Sequence, residues 1–176
     1  RQAVDISKTC LNKARQNTVG DVTYVLDDIR KSALLQSYEH YFDSVVISDV
    51  LEHVDDEHAA LRNVAKMLRS RGVLVVTVPA FKLLLSKQDK RLGHYRRYER
   101  KDLTNKFARV GFRIEVCRYW NLPGLVGWLI FCKLMGKTID TLRSRPINTL
   151  YGKWLRLENS ITLPVGLTLV VKARKD

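Results

Sequence analysis

The spacing of apolar positions alternates between two periods along the chain. A short apolar run ends at Val4 and Asp5, and Ser7 stands where a cap is needed for a helix over about Lys8 to Gln16. Asp21 to Leu26 is short and rich in β-branched residues, which predicts a strand. Phe42 to Ser48 predicts a second strand, of the fully buried type. Behind Asp55 and Asp56, the residues Ala60, Leu61, Val64 and Leu68 recur at helical spacing, and the acidic residues suit the start of a helix. Gly72 closes a loop, and Val73 to Val78 predicts another buried strand stopped by Pro79. Ala80 to Tyr98 has no regular period. Leu103, Phe107 and Val110 mark a helix face ended by Gly111, and Phe112 to Tyr119 alternates like a strand. Asn121 to about Glu158 reads as helical, with breaks at Gly136 and Pro146, and Leu167 to Ala173 predicts a last strand. Six strands joined mostly by helices predict an α/β fold, a doubly wound sheet with helices on both faces. The expectation is one domain over residues 1–176 with a helical insertion at about 121–160.

Composition changes this picture in two respects. The net charge of +13 is unevenly spread: residues 1–60 carry six Lys/Arg against eleven Asp/Glu, and residues 81–118 carry twelve against four. A basic stretch beside an acidic one points either to an anionic partner or to a solvated face without one. Cys10, Cys117 and Cys132 form no CxxC pair, so no zinc site or disulfide framework is indicated and a reducing, cytoplasmic setting is expected. The longest apolar stretch, Leu122 to Met135, is interrupted by Pro123, Gly124, Gly127 and Lys133 and is too short to cross a bilayer. It reads as a core helix or as a peripheral membrane contact.

In open α/β sheets ligands bind beyond the carboxyl ends of the strands. Asp5, Asp27-Asp28 and Ser48-Asp49 follow three successive predicted strands. Each alone is an ordinary turn or cap residue; the recurrence gives the set its weight.

Residues 42–54, FDSVVISDVLEHV, resemble the FDxVxxxxVLEHV signature of class I S-adenosylmethionine (SAM)-dependent methyltransferases. Residues 68–79, LRSRGVLVVTVP, are similar to that family's LKPGGxLxxxxP segment, with Ser70-Arg71 in place of Pro-Gly. Val4-Asp5-Ile6-Ser7 resembles its V-D-x-S, and Arg109-Val110-Gly111-Phe112 its AGF junction. The resemblance implies a Rossmann-like methyltransferase sheet and SAM as cofactor, held by Asp5, Ile6, Asp28, Ile29, Ser48, Asp49 and Val50. Asp5 would take the ribose hydroxyls and Asp28 the adenine. The family's first strand and glycine-rich loop should precede Val4, and nothing in the chain matches them. An N-terminal truncation is therefore expected, with two strand edges left unpaired and weak SAM binding.

Residues 89–98, DKRLGHYRRY, resemble the DxxxGHxRRY segment of one methyltransferase branch linked to sugar and lipid pathways. The expected activity is methyl transfer to a small-molecule, sugar or lipid-linked acceptor, possible anionic character included. Asp89, His94, Tyr95, Arg96 and His53 are expected at the substrate. A hydroxyl acceptor needs a base working near neutral pH, and His94 is the candidate. Arg96 and Arg97 offer forked donors for phosphate or carboxylate, one of them otherwise pairing with Glu99 or Asp102. Tyr98 reads as core, and Glu52 as orienting its loop. No metal is expected. The rival readings are a non-catalytic or fragmentary methyltransferase-like domain, a NAD-dependent enzyme, and a basic RNA-binding or RNA-modifying module. The last lacks an aromatic platform, so a nucleic-acid partner is not expected.

Overall fold

The computed structural model describes residues 1–32, 37–130 and 145–176. The described residues hold six strands and six α-helices, in the order β1 (Gln2–Asp5), α1 (Lys8–Asn17), β2 (Thr23–Leu26), β3 (Phe42–Ser48), α2 (Glu57–Met67), β4 (Leu68–Pro79), α3 (Lys87–Arg91), α4 (Arg100–Ala108), β5 (Phe112–Trp120), α5 (Leu122–Trp128), α6 (Arg145–Glu158) and β6 (Thr168–Lys175). The local signals act as their chemistry requires. The Ser7 hydroxyl accepts from the Cys10 amide at the start of α1, and Asp56 accepts from the Ala59 amide at the start of α2. Gly111 takes φ 82° after α4, a conformation glycine adopts without strain.

The strands form two sheets. β1 and β2 pair in parallel; the second sheet has the order β3-β4-β6-β5, with β3 parallel to β4 and β6 antiparallel to both neighbours. Its core lies on one face. Leu74, Val76 and Val78 of β4 and Leu169, Val171 and Ala173 of β6 are buried with Leu61 and Val64 of α2 and Leu103 and Phe107 of α4. The β2 side is tied on by Asn63, whose amide donates to the carbonyls of Ile29 and Arg30.

Several expectations need correction. β3 is not buried on both faces: only Ile47 is buried, and Val46 is 69% exposed. β3 is an edge strand: it pairs only with β4, and its other edge has no strand partner among the described residues. Likewise β4 alternates between buried and half-buried positions from Val73 onward. It starts directly out of α2 at Leu68, where a loop was expected, and Gly72 passes so close to Arg69 that an added Cβ would lie 2.9 Å from its carbonyl oxygen. Residues 80–98 contain α3, closed by a reciprocal cap between Ser86 and Asp89. The expected break at Pro146 borders residues 131–144, which lie outside the described residues. Within α6 as described, Pro146 is the second residue, where a missing N–H costs nothing. Gly136 and the middle of the expected insertion lie outside the described residues. Among the described residues no helix is long and apolar enough to cross a membrane.

The one-sided pairing of β3 has a measurable consequence. Amide exchange is expected to be fast along β1 and the free edge of β3, and slow in β4 and β6, which are paired on both sides. Uniform protection across β3 and β4 in hydrogen–deuterium exchange would contradict this pairing.

Candidate functional site

The carboxyl ends of β1, β2 and β3 carry the acidic set expected there. Asp5 closes β1 half-buried, and its Oδ1 accepts from the Ser7 amide at 2.7 Å. Ile6 beside it is 70% exposed, an apolar surface free to meet a ligand. At the end of β2, Asp27 accepts from the Asp28 amide and the Ser32 hydroxyl. Asp28, expected at the adenine, is engaged within the chain. Both its oxygens accept from Arg30, which holds its carboxyl below the usual range, and Arg30 also reaches Asp55 at 2.8 Å. Ile29 packs on the core with its carbonyl taken by Asn63. At the end of β3, the Ser48 hydroxyl lies 2.9 Å from that of Thr77. Asp49 adopts a left-handed φ of 51°, strained for a residue with a Cβ, and Val50 is exposed. Asp5, Ile6, Asp49 and Val50 therefore present free surface to a nucleoside, and the residues fit SAM on its ribose side. The Asp28 carboxylate is held by Arg30 and stays part-exposed.

Beyond β3 and β4 lies a cleft of about 370 Å³, lined among others by Asp49, Glu52, Pro79, His94, Trp128 and Leu167. A second groove, beside Arg71, Arg113 and Arg174, lies at the opposite strand ends, away from this chemistry. The wall of the cleft is built by residues 86–98. Asp89 is 2% exposed; it accepts from Arg97 through Nε at 3.0 Å and Nη2 at 2.7 Å, and from the amide and hydroxyl of Ser86. These donors keep its carboxyl ionised despite burial. Arg97 also donates to the Ala80 carbonyl and lies over the Trp128 ring at 5.0 Å. Asp89, expected at the substrate, lines the cleft and is held there by Arg97 and Ser86.

Arg96 and Arg97 are correspondingly spent within the protein. Arg97 pairs with Asp89, and Arg96 pairs with Glu57 at 3.0 Å and donates to the Asp55 carbonyl, so neither pairs with Glu99 or Asp102. Glu99 instead accepts from the Lys82 amide, and Asp102 pairs with Lys82 and Lys106. Tyr98 is 1% exposed, and its hydroxyl donates to Glu57 at 2.6 Å. Tyr95 is 59% exposed at the rim.

Three side chains converge where this wall meets the turn Leu51–His53. The Tyr95 amide donates to the Glu52 carbonyl at 2.8 Å, clamping the two segments together. Gly93 at φ 82° makes the turn that delivers His94. The His94 and His53 rings meet edge to face at 4.6 Å. Nδ1 of His94 is 3.3 Å from Asp89 Oδ1, an ion-pair distance whose angle falls short of a hydrogen bond. Burial first, and the neighbouring His53 second, lower the His94 pKa and favour its neutral form. Glu52 is 1% exposed, and its Oε2 has no hydrogen-bond partner. Burial, reinforced by the charge of Asp49, pushes its carboxyl up to about 7. From its sequence context Glu52 is expected to orient its loop. Its flanking Leu51 and Val54, both buried, were the available signal that it would be carried inside.

The comparisons with known proteins agree with this architecture. The family described as "Methyltransferase domain" matches residues 2–76. No curated protein matches. Among solved structures, the complex between the Haloferax volcanii Trm112 methyltransferase activator and the putative methyltransferase is similar at TM-score 0.65 and 14% identity, covering 99% of this chain and 71% of that one. A SAM-dependent methyltransferase from Mesorhizobium loti is similar at TM-score 0.63 and 21% identity, with 99% and 80% covered. The N-methyltransferase NodS from Bradyrhizobium japonicum, in complex with S-adenosyl-L-homocysteine, is similar at TM-score 0.59 and 16% identity, with 99% and 65% covered.

Proposed function

We propose that this chain is a SAM-dependent methyltransferase that methylates a small-molecule, sugar or lipid-linked acceptor held in the cleft beside His94, a reading supported by the match of residues 2–76 to the methyltransferase-domain family and by the fold shared with solved methyltransferases. The observation that carries this reading is the shape of the cleft. Asp49, which follows β3 on the cofactor side, and His94, on the opposite wall, line one cavity, with Trp128 and Leu167 supplying an apolar surface. Sulfonium methyl transfer is an in-line displacement, so the protein's main task is to align the acceptor atom with the methyl group. Asp5 would hold the ribose. The wall of residues 86–98 would present the acceptor, and His94 would touch its reacting atom.

The test uses methyl-tritiated SAM offered with sugar, lipid and small-acid acceptors. His94→Ala is expected to lower turnover by about a hundredfold or more while SAM affinity is unchanged, because its contribution is made at the reacting atom. Equal loss of turnover and SAM affinity, or no loss of either, would overturn the assignment.

A further inference from the structure

The sequence offers no metal-ligand spacing, yet the fold gathers one. Glu52, His53 and His94 each place a ligand atom so that all three lie within 4.8 Å of one another. We infer that these three side chains form a binding site for a single divalent transition-metal ion. Four observations carry it.

The donor set is one carboxylate and two imidazoles, which suits zinc, manganese or iron rather than magnesium or calcium, whose sites are built from oxygen. Glu52 is 1% exposed, one of its carboxylate oxygens lies within the cluster, and its Oε2 has no hydrogen-bond partner. A buried carboxylate oxygen in that state is costly unless a cation or a proton meets it. The ligands also come from two segments that are already fastened: the Tyr95 amide to the Glu52 carbonyl at 2.8 Å, and the His94 amide to the Asp89 carbonyl at 2.9 Å. Finally, Asp89 stands behind His94 at 3.3 Å, itself fixed by Arg97. The contact is not a hydrogen bond as it stands, but a small turn of the ring would let Nδ1–H donate to Asp89 and leave the other nitrogen for a metal.

Ligand atoms around a cation held at about 2.0–2.2 Å are about 3–3.5 Å apart. Closing from the observed spread takes a movement of up to about 1.5 Å, and the exposed His53 ring is free to supply it. Once bound, the ion occupies the nitrogen lone pair that His94 would need as a base. It would then polarise the acceptor oxygen in place of the imidazole. That consequence rests on the reading of the cleft as the acceptor site; binding of the ion does not.

The experiment is titration of the EDTA-dialysed chain with Zn²⁺ or Mn²⁺ alone, without SAM or acceptor, by calorimetry and by metal analysis after gel filtration. The expected result is one ion per chain. Glu52→Gln, His53→Ala and His94→Ala should each weaken binding by about tenfold or more. His58→Ala, outside the cluster, should leave it unchanged. His53 is exposed, so its variant keeps the test valid if Glu52→Gln fails to fold. Absence of stoichiometric binding, or affinity unchanged in the His53 and His94 variants, overturns the site. Loss of metal binding in His94→Ala with turnover intact would instead sink the acceptor reading and leave the metal site standing.

Discussion

Asp89→Asn and Arg97→Met are each expected to destabilise the chain by about 3–5 kcal/mol, the range for removing one partner of a buried ion pair. Both side chains are nearly inaccessible, and the pair is doubly hydrogen-bonded. Removing Arg97 leaves the Asp89 carboxylate buried against an uncharged neighbour and frees the Ala80 carbonyl. Removing the Asp89 charge strands the guanidinium beneath Trp128. The double variant Asp89→Asn/Arg97→Met should recover a substantial part of the loss, since no lone charge is then left inside. The measurement is the denaturant midpoint of each variant by circular dichroism. A loss under about 1 kcal/mol in both single variants would reduce the pair to the rank of a screened surface contact.

That pair also marks the limit of what the sequence made legible. The bounds of β3 and the caps at Ser7 and Asp56 follow from local chemistry, and the structure places them where that chemistry puts them. The α/β order was equally readable, because alternating periods are local properties. The wall of the cleft was not. Its outcome depends on Arg97 reaching back eight residues to Asp89 across the Gly93 turn, and on Arg96 crossing to Glu57. No spacing rule for a basic stretch tells a solvated arginine from one that has found a buried partner. The Ser86–Asp89 cap was the one local clue that a short helix interrupts this stretch. The cofactor edge divides in the same way. Asp5 and Asp49 end their strands as expected, whereas the engagement of Asp28 by Arg30 and of Arg30 by Asp55 joins segments 25 residues apart. Glu52 shows the same limit from the other direction. Its burial follows from how the Leu51–His53 turn packs, and only that packing turns a signature residue into an unpartnered carboxyl beside two imidazoles.

Gly166→Ala is expected to destabilise the chain by about 3 kcal/mol, at or above the upper end of ordinary overpacking. A Cβ at Gly166 would lie 2.4 Å from the Trp120 carbonyl oxygen and 2.7 Å from its backbone nitrogen. The obstacle is main chain, so no rotamer change can relieve it. Either β5 or the segment entering β6 must move, and both are fixed in antiparallel register from Trp120↔Thr168 onward. The neighbouring Leu167 amide donates to the Asn121 carbonyl, so the displacement would also pull on the left-handed cap of α5 and on the Leu167 side of the cleft. Gly127→Ala and Gly152→Ala serve as opposite-sign controls. Both lie within helices with nothing within 4 Å of the added carbon, and each should gain about 0.5–1 kcal/mol from reduced chain entropy. Thermal unfolding of the three variants separates the two mechanisms. If Gly166→Ala unfolds within a degree of the parent, the close approach of β5 to the chain entering β6 is not a constraint, and the support it gives to this side of the cleft falls with it.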